Sequence, residues 1–163
     1  MLMEQQIIIK EATTREDSLI AQYFYKMWLD LGVSNDDINP DWFDITLQFI
    51  EQARKHLFYK GFVAEVDGVV VGSASCQLYN GLYPIIVQEQ YRKYGYIWGV
   101  YVEPPRRRQG IAKQLTSMAV KHLKEIGCTR AVLNASPLGK PVYEQLGFSD
   151  SNAMQLDLND TNF

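Results

Sequence analysis

Apolar positions along this chain repeat at two periods, and the switches between them lay out its elements. Ile7-Ile8-Ile9 is a short unbroken apolar run and predicts a buried first strand. Thr13 or Thr14 can cap the helix that follows, with Glu16 and Asp17 favourable in its first turn. Leu19, Ile20, Tyr23, Phe24, Met27 and Leu31 recur at helical spacing until Gly32 ends the run. Residues 34–39 are polar and predict a loop. Pro40-Asp41 opens a second helix, with a stripe of Trp42, Ile45, Phe49 and Ala53 widened by Leu47 and Ile50. Strands are predicted over 58–66 and 69–78, joined by the hairpin signal Asp67-Gly68. Residues 79–93, with Asn80-Gly81 and Pro84, form a long connection that has room for a short strand at 85–87.

The second half repeats the logic. The β-branched and aromatic run 95–102 predicts a buried central strand, ended by Pro104-Pro105. A long helix then carries Ile111, Leu115, Met118, Ala119, Leu123 and Ile126 on one face and closes at Gly127. A strand at 131–135, a short helix at 138–146 stopped by Gly147, and a last strand at 152–158 complete the pattern. Residues 159–163 are expected to fray.

Composition narrows the classes. The chain has 163 residues, 47% hydrophobic and 21% charged, which suits one globular domain over 1–163 with a sizeable core. Its formal net charge of -3 disfavours nucleic acid as a partner, so Arg106-Arg107-Arg108 reads as a local anion site. Cys76 and Cys128 lie far apart and imply no disulfide framework, which fits a reducing cytoplasm. Glu4 and Lys10 bracket the only apolar run near the start, so no signal peptide is expected there, and no stretch suits a membrane span. The dinucleotide and P-loop glycine patterns are absent, and no Cys/His spacing suits zinc, so no metal is expected. His122 reads as a packed or surface histidine rather than a base, and Ser73, Ser75 and Ser136 have no evident triad partner.

The remaining chemistry sits where the central strand meets the long helix. A helix N-terminus presents unpaired N–H groups and the positive end of a dipole. Gly110 permits close approach of a ligand to the backbone, Ala112 leaves room on the first turn, and arginines add charge at the rim. The guest such a cradle selects is a phosphate or pyrophosphate. The spacing Arg107-x-x-Gly110-x-Ala112 resembles the acetyl-CoA pyrophosphate signature of the GNAT superfamily of N-acetyltransferases, in which Ala112 is an allowed variant of the second glycine. Downstream, Tyr143-Glu-Gln-Leu-Gly-Phe148 is similar to the segment that closes the same family's cofactor groove. The resemblance covers residues 94–148 most strongly, and the first half of the chain fits in element order.

The resemblance implies a mixed α/β fold. Its central sheet is mostly antiparallel, with one parallel strand pair that splays apart to admit acetyl-CoA. It implies an N-acetyltransferase that moves an acetyl group to a primary amine by direct transfer in a ternary complex. Main-chain groups of Val100, Tyr101 and Val102 would then pair with the pantetheine arm, and a backbone N–H there would polarise the thioester carbonyl. Arg107, Arg108, Gly110, Ile111 and Ala112 would hold the pyrophosphate, and Tyr143 would protonate the departing thiolate. Asn134 either bonds the pantetheine or a water, or simply ends its strand; Lys140 either reaches a phosphate or is solvated. The segment Asn134-Ala-Ser-Pro-Leu-Gly-Lys-Pro141 departs from the family's commoner pattern, which bears on the pantetheine contacts. Glu103, Glu89 and Asp30 are candidates for the base, alongside a water chain. The acceptor, a small-molecule or peptide amine, is expected between the first two helices and the tyrosine-rich connection 79–93, where aromatics suit an apolar or cationic amine. A homodimer, another acyl-CoA as donor, and a non-catalytic CoA-sensing module are the alternatives left open.

Overall fold

The computed structural model describes residues 5–159 and 162. Ile7–Glu11 forms β1 and pairs antiparallel with β2, Lys60–Val66. The Asp67-Gly68 turn returns the chain into β3, Val69–Leu78, as the hairpin signal predicts. β4, Tyr94–Val102, lies antiparallel to β3, and the three-residue β5, Arg130–Val132, lies parallel to β4. The sheet order is β1-β2-β3-β4-β5, mixed and mostly antiparallel.

Two helices precede the hairpin. α1, Asp17–Asp30, is entered through a 3-10 turn in which Thr13 and Glu16 form a capping box. The Thr13 N–H donates to Glu16 Oε2 at 2.9 Å. Its apolar stripe divides: Ile20 and Tyr23 are buried, while Trp28 and Leu31 remain exposed. α2, Trp42–His56, divides in the same way. Its buried seam is Thr46, Ile50 and Ala53, and Ile45 and Phe49 stay half exposed. The single apolar stripe predicted for each helix is therefore corrected: each carries a core seam and a second apolar face. Asp17 on α1 and Arg54 on α2 clamp the pair through two hydrogen bonds of 2.8 Å.

α3, Ile111–Glu125, lays Ile111, Leu115, Ala119 and Leu123 against Phe62, Ala74 and Ile97 of the sheet. Burial of four such side chains contributes several kcal/mol, at about 25 cal/mol per Å² of apolar area. His122 is buried beside this seam with Nε2 2.8 Å from the Phe58 carbonyl oxygen, which makes it a packing residue. Cys76 on β3 is fully buried, and Cys128 just past α3 is partly so. The short α4, Lys140–Gln145, ends the regular structure.

Two predicted strands do not form. Residues 85–87 sit in the connection before β4, where Pro84 has no N–H to give a ladder and Ile86 is 90% exposed. Residues 152–158 run without a ladder, and Met154, Leu156 and Leu158 face solvent. Alternation marks a strand only when a sheet edge and a covering layer accept it, and β5 offers an edge of three residues. β5 itself is shorter than the predicted 131–135, because it parts from β4 beyond Val132. The predicted fraying of residues 160, 161 and 163 lies outside the described residues.

Candidate active site

The ladder between β4 and β5 comprises Tyr94–Arg130, Gly95–Ala131 and Tyr96–Val132, and there it stops although β4 runs on to Val102. On its other edge β4 stays paired with β3 as far as Gly72–Val102. The parallel strands thus part, as the family resemblance implies. The β3 side adds a feature that the sequence reading omits. Ser75 faces Trp98 but Ser73 faces Tyr101, so β4 carries one extra residue between them. Gly99 absorbs it at φ 65°, a left-handed conformation that favours glycine. Such a bulge bends the strand and leaves backbone groups unpaired. An isolated glycine inside a strand pattern is the signal that could have revealed it.

A cavity of about 820 Å³ opens along this parting, within the range of small-molecule sites. Trp98, Gly99 and Val100 of β4 form its floor. Leu133, Asn134, Ala135 and Ser136 beyond β5, with Tyr143 of α4, close one side. Phe24, Met27, Trp28 and Leu31 of α1 and Ile45, Thr46 and Phe49 of α2 close the other. The second apolar faces of both helices therefore look into this space. Trp98 lines it with ring centroids 5.0 Å from Phe24 and 5.5 Å from Phe49, both edge-to-face. Its indole N–H donates to Gln77 Oε1 at 2.6 Å. Among the described residues, the lining contains no charged side chain.

The turn after β4 builds the cradle. Glu103 N–H donates to the Val71 carbonyl at 2.8 Å, and Pro104–Arg106 makes one 3-10 turn. Arg108 takes φ 64° and Gly110 takes φ 80°, so two left-handed residues aim the chain into α3. A Cβ on Gly110 would meet nothing within 4 Å, so this glycine answers to its backbone angle and faces open space. No side chain caps α3, and the first intrahelical bond runs from Gln114 N–H to the Gly110 carbonyl. The N–H groups of Ile111, Ala112 and Lys113 precede that ladder, as an anion site requires. The Ile111 side chain is 1% exposed and packs in the core, which leaves only its backbone at the helix start. Arg107 is engaged within the protein: Nε donates to the Val102 carbonyl at 2.8 Å and Nη2 to Asp30 Oδ2 at 2.7 Å.

The sequence profile of the Acetyltransferase (GNAT) family matches residues 22–148. The chain belongs to the GNAT family of acetyltransferases. It is an acyltransferase of that family, 31% identical over 110 residues to a glucosamine 6-phosphate N-acetyltransferase of Trypanosoma brucei brucei, an overlap spanning 64% of this chain and 69% of that one. Its fold is similar to that of a predicted acetyltransferase from Clostridium acetobutylicum crystallised with acetyl-CoA, at TM-score 0.79, 24% identity, and coverage of 97% and 100% of the two chains. It is also similar to the aminoglycoside N-acetyltransferase AAC(6')-Iy in complex with CoA, at TM-score 0.67, 21% identity and 98% of each chain.

Within this GNAT fold, Tyr143 sits at the cavity wall with its ring 6.0 Å from Phe148, edge-on. Burial pushes its phenol above the ordinary value, so the hydroxyl is protonated at neutral pH. Asn134 donates from Nδ2 to Tyr96 Oη at 2.8 Å, bridging the parted strands. Burial and the neighbouring Tyr79 raise the Tyr96 phenol in turn. Val100 lines the cavity, whereas the side chains of Tyr101 and Val102 are buried elsewhere. Lys140 pairs with Asp150 at 3.1 Å. Of the carboxylates considered for the base, Asp30 holds Arg107, Glu103 lies 3.4 Å from Lys26 Nζ, and Glu89 is solvated; none lines the cavity. From the 79–93 connection, only Tyr79 and Asn80 reach the cavity.

Proposed function

We propose that this GNAT enzyme transfers the acetyl group of acetyl-CoA directly to a primary amine, with both bound together. The observation that carries the reading is the parting from β5 of a β4 that is bulged against β3, which opens into a cavity bordered by Tyr143. The pyrophosphate lies on the N–H groups of Gly110, Ile111 and Ala112, with Arg108 at the rim and Arg107 turning toward it from Asp30. The pantetheine runs along β4 at Val100, Tyr101 and Val102, and Asn134 flanks it.

The amine lone pair attacks the thioester carbonyl carbon, and the carbonyl oxygen takes the negative charge. Backbone N–H groups of β4 at the bulge, around Gly99 and Val100, stabilise that oxyanion. The tetrahedral adduct then collapses, breaking the C–S bond. Tyr143 gives its proton to the CoA thiolate, and the proton released by the amine passes to water. A phenol held protonated by burial suits that role.

Acetyl-CoA should raise the melting temperature by mass action, and Gly110→Glu should abolish this by placing bulk and negative charge in the cradle. Calorimetry is the check. Equal affinity in wild type and Gly110→Glu overturns the cofactor assignment, and tight binding with no amine-dependent thiol release overturns catalysis.

A further inference from the structure

We infer that the acceptor is a small monoamine on an aromatic body, and that phosphorylated sugars and polyamines are excluded. The inference rests on the transferase reading above and specifies the far side of the same cavity.

On the acceptor side, Trp28, Ile45 and Phe49 are 42%, 45% and 48% exposed, yet all face this one space. Large apolar side chains gathered around a concavity mark a surface that an apolar ligand completes. Trp98 offers ring surface rather than a donor there, because its N–H is already held by Gln77 at 2.6 Å. An aromatic body fits this wall by edge-to-face contact, as Phe24 and Phe49 already pack on Trp98.

Charge makes the same selection. A phosphate or a second ammonium entering an uncharged, apolar wall loses its hydration and gains no counter-ion. Two charged groups on the flanking elements are held by other side chains. Asp17 is bound twice by Arg54 at 2.8 Å. Arg92, in the connection that borders the cavity, lies over the Tyr83 and Tyr94 rings at 5.0 and 4.0 Å. A single ammonium is tolerated on aromatic faces. An apolar wall also favours the neutral amine, which is the nucleophilic form. Identity of 31% to an enzyme for glucosamine 6-phosphate therefore does not bring its substrate with it.

The test uses the full chain with acetyl-CoA and follows thiol release with 2-phenylethylamine, tryptamine, glucosamine 6-phosphate and spermidine. The expected result is kcat/KM for the two aryl amines at least about tenfold above the other two, the scale on which an apolar pocket discriminates. Phe49→Ala, on the exposed face of α2, should raise KM for 2-phenylethylamine severalfold and leave that for acetyl-CoA unchanged. Equal or better use of glucosamine 6-phosphate or spermidine overturns the inference and leaves the transferase reading standing. Turnover of no amine, with calorimetry showing acetyl-CoA bound, overturns both. An unchanged KM in Phe49→Ala removes the acceptor from this wall.

Discussion

In the proposed mechanism Tyr143 concentrates the proton transfer to the thiolate into one hydroxyl. Tyr143→Phe keeps the ring that packs edge-on to Phe148 and deletes only the proposed proton donor. The expected outcome is a fall in kcat on the order of 100-fold, with acetyl-CoA affinity nearly unchanged, read by single-turnover kinetics in which chemistry limits the rate. The pH profile carries the same information. In that mechanism the active form is the protonated phenol, and burial raises its pKa. The falling limb should therefore lie on the alkaline side of that of an unperturbed phenol. A fall of one decade per pH unit that begins below pH 9 assigns the limb to another group.

At the scale of elements, one contact joins parts that the sequence holds far apart. Arg107, in the turn before α3, reaches Asp30 at the end of α1. Both side chains are nearly half exposed, at 44% and 48%, so the pair contributes less than about 1 kcal/mol to stability. Asp30→Asn should change the denaturation midpoint little and should strengthen acetyl-CoA binding, because it frees the guanidinium for the pyrophosphate. Calorimetry and chemical denaturation together check this. No spacing in the sequence points to that pair, since it depends on where α1 lands on the sheet. Elements whose signal is local were legible: the Asp67-Gly68 hairpin, the Gly110 helix start and the Gly127 stop all appear in place. The bulge at Gly99 was legible only in principle. The dual faces of α1 and α2 were not, because Phe24 and Phe49 are as apolar as core residues and only the parting of β4 from β5 leaves them uncovered. Sequence 152–158 failed for the converse reason: its alternation of Met154, Leu156 and Leu158 is a strand pattern with no edge to join.

For the molecule as a whole, stability resides in the layer that α3 makes with the sheet. Residues 151–158 add almost nothing to it, with Met154 97% exposed. Removing residues 151–163 should shift Tm by no more than a few degrees, within the range of a change below about 1 kcal/mol. Differential scanning calorimetry checks this, and a large drop would mean that the tail is part of the folding unit. The same compactness bears on how activity can be read. Burial pushes the Cys76 thiol up to about 12 and raises Cys128 above its ordinary value as well. Thiolates, not thiols, attack disulfide reagents. At neutral pH the fully buried Cys76 is therefore silent toward such a reagent and the partly exposed Cys128 is slowed, so the colour that develops during turnover reports released CoA over a blank that Cys128 alone can set.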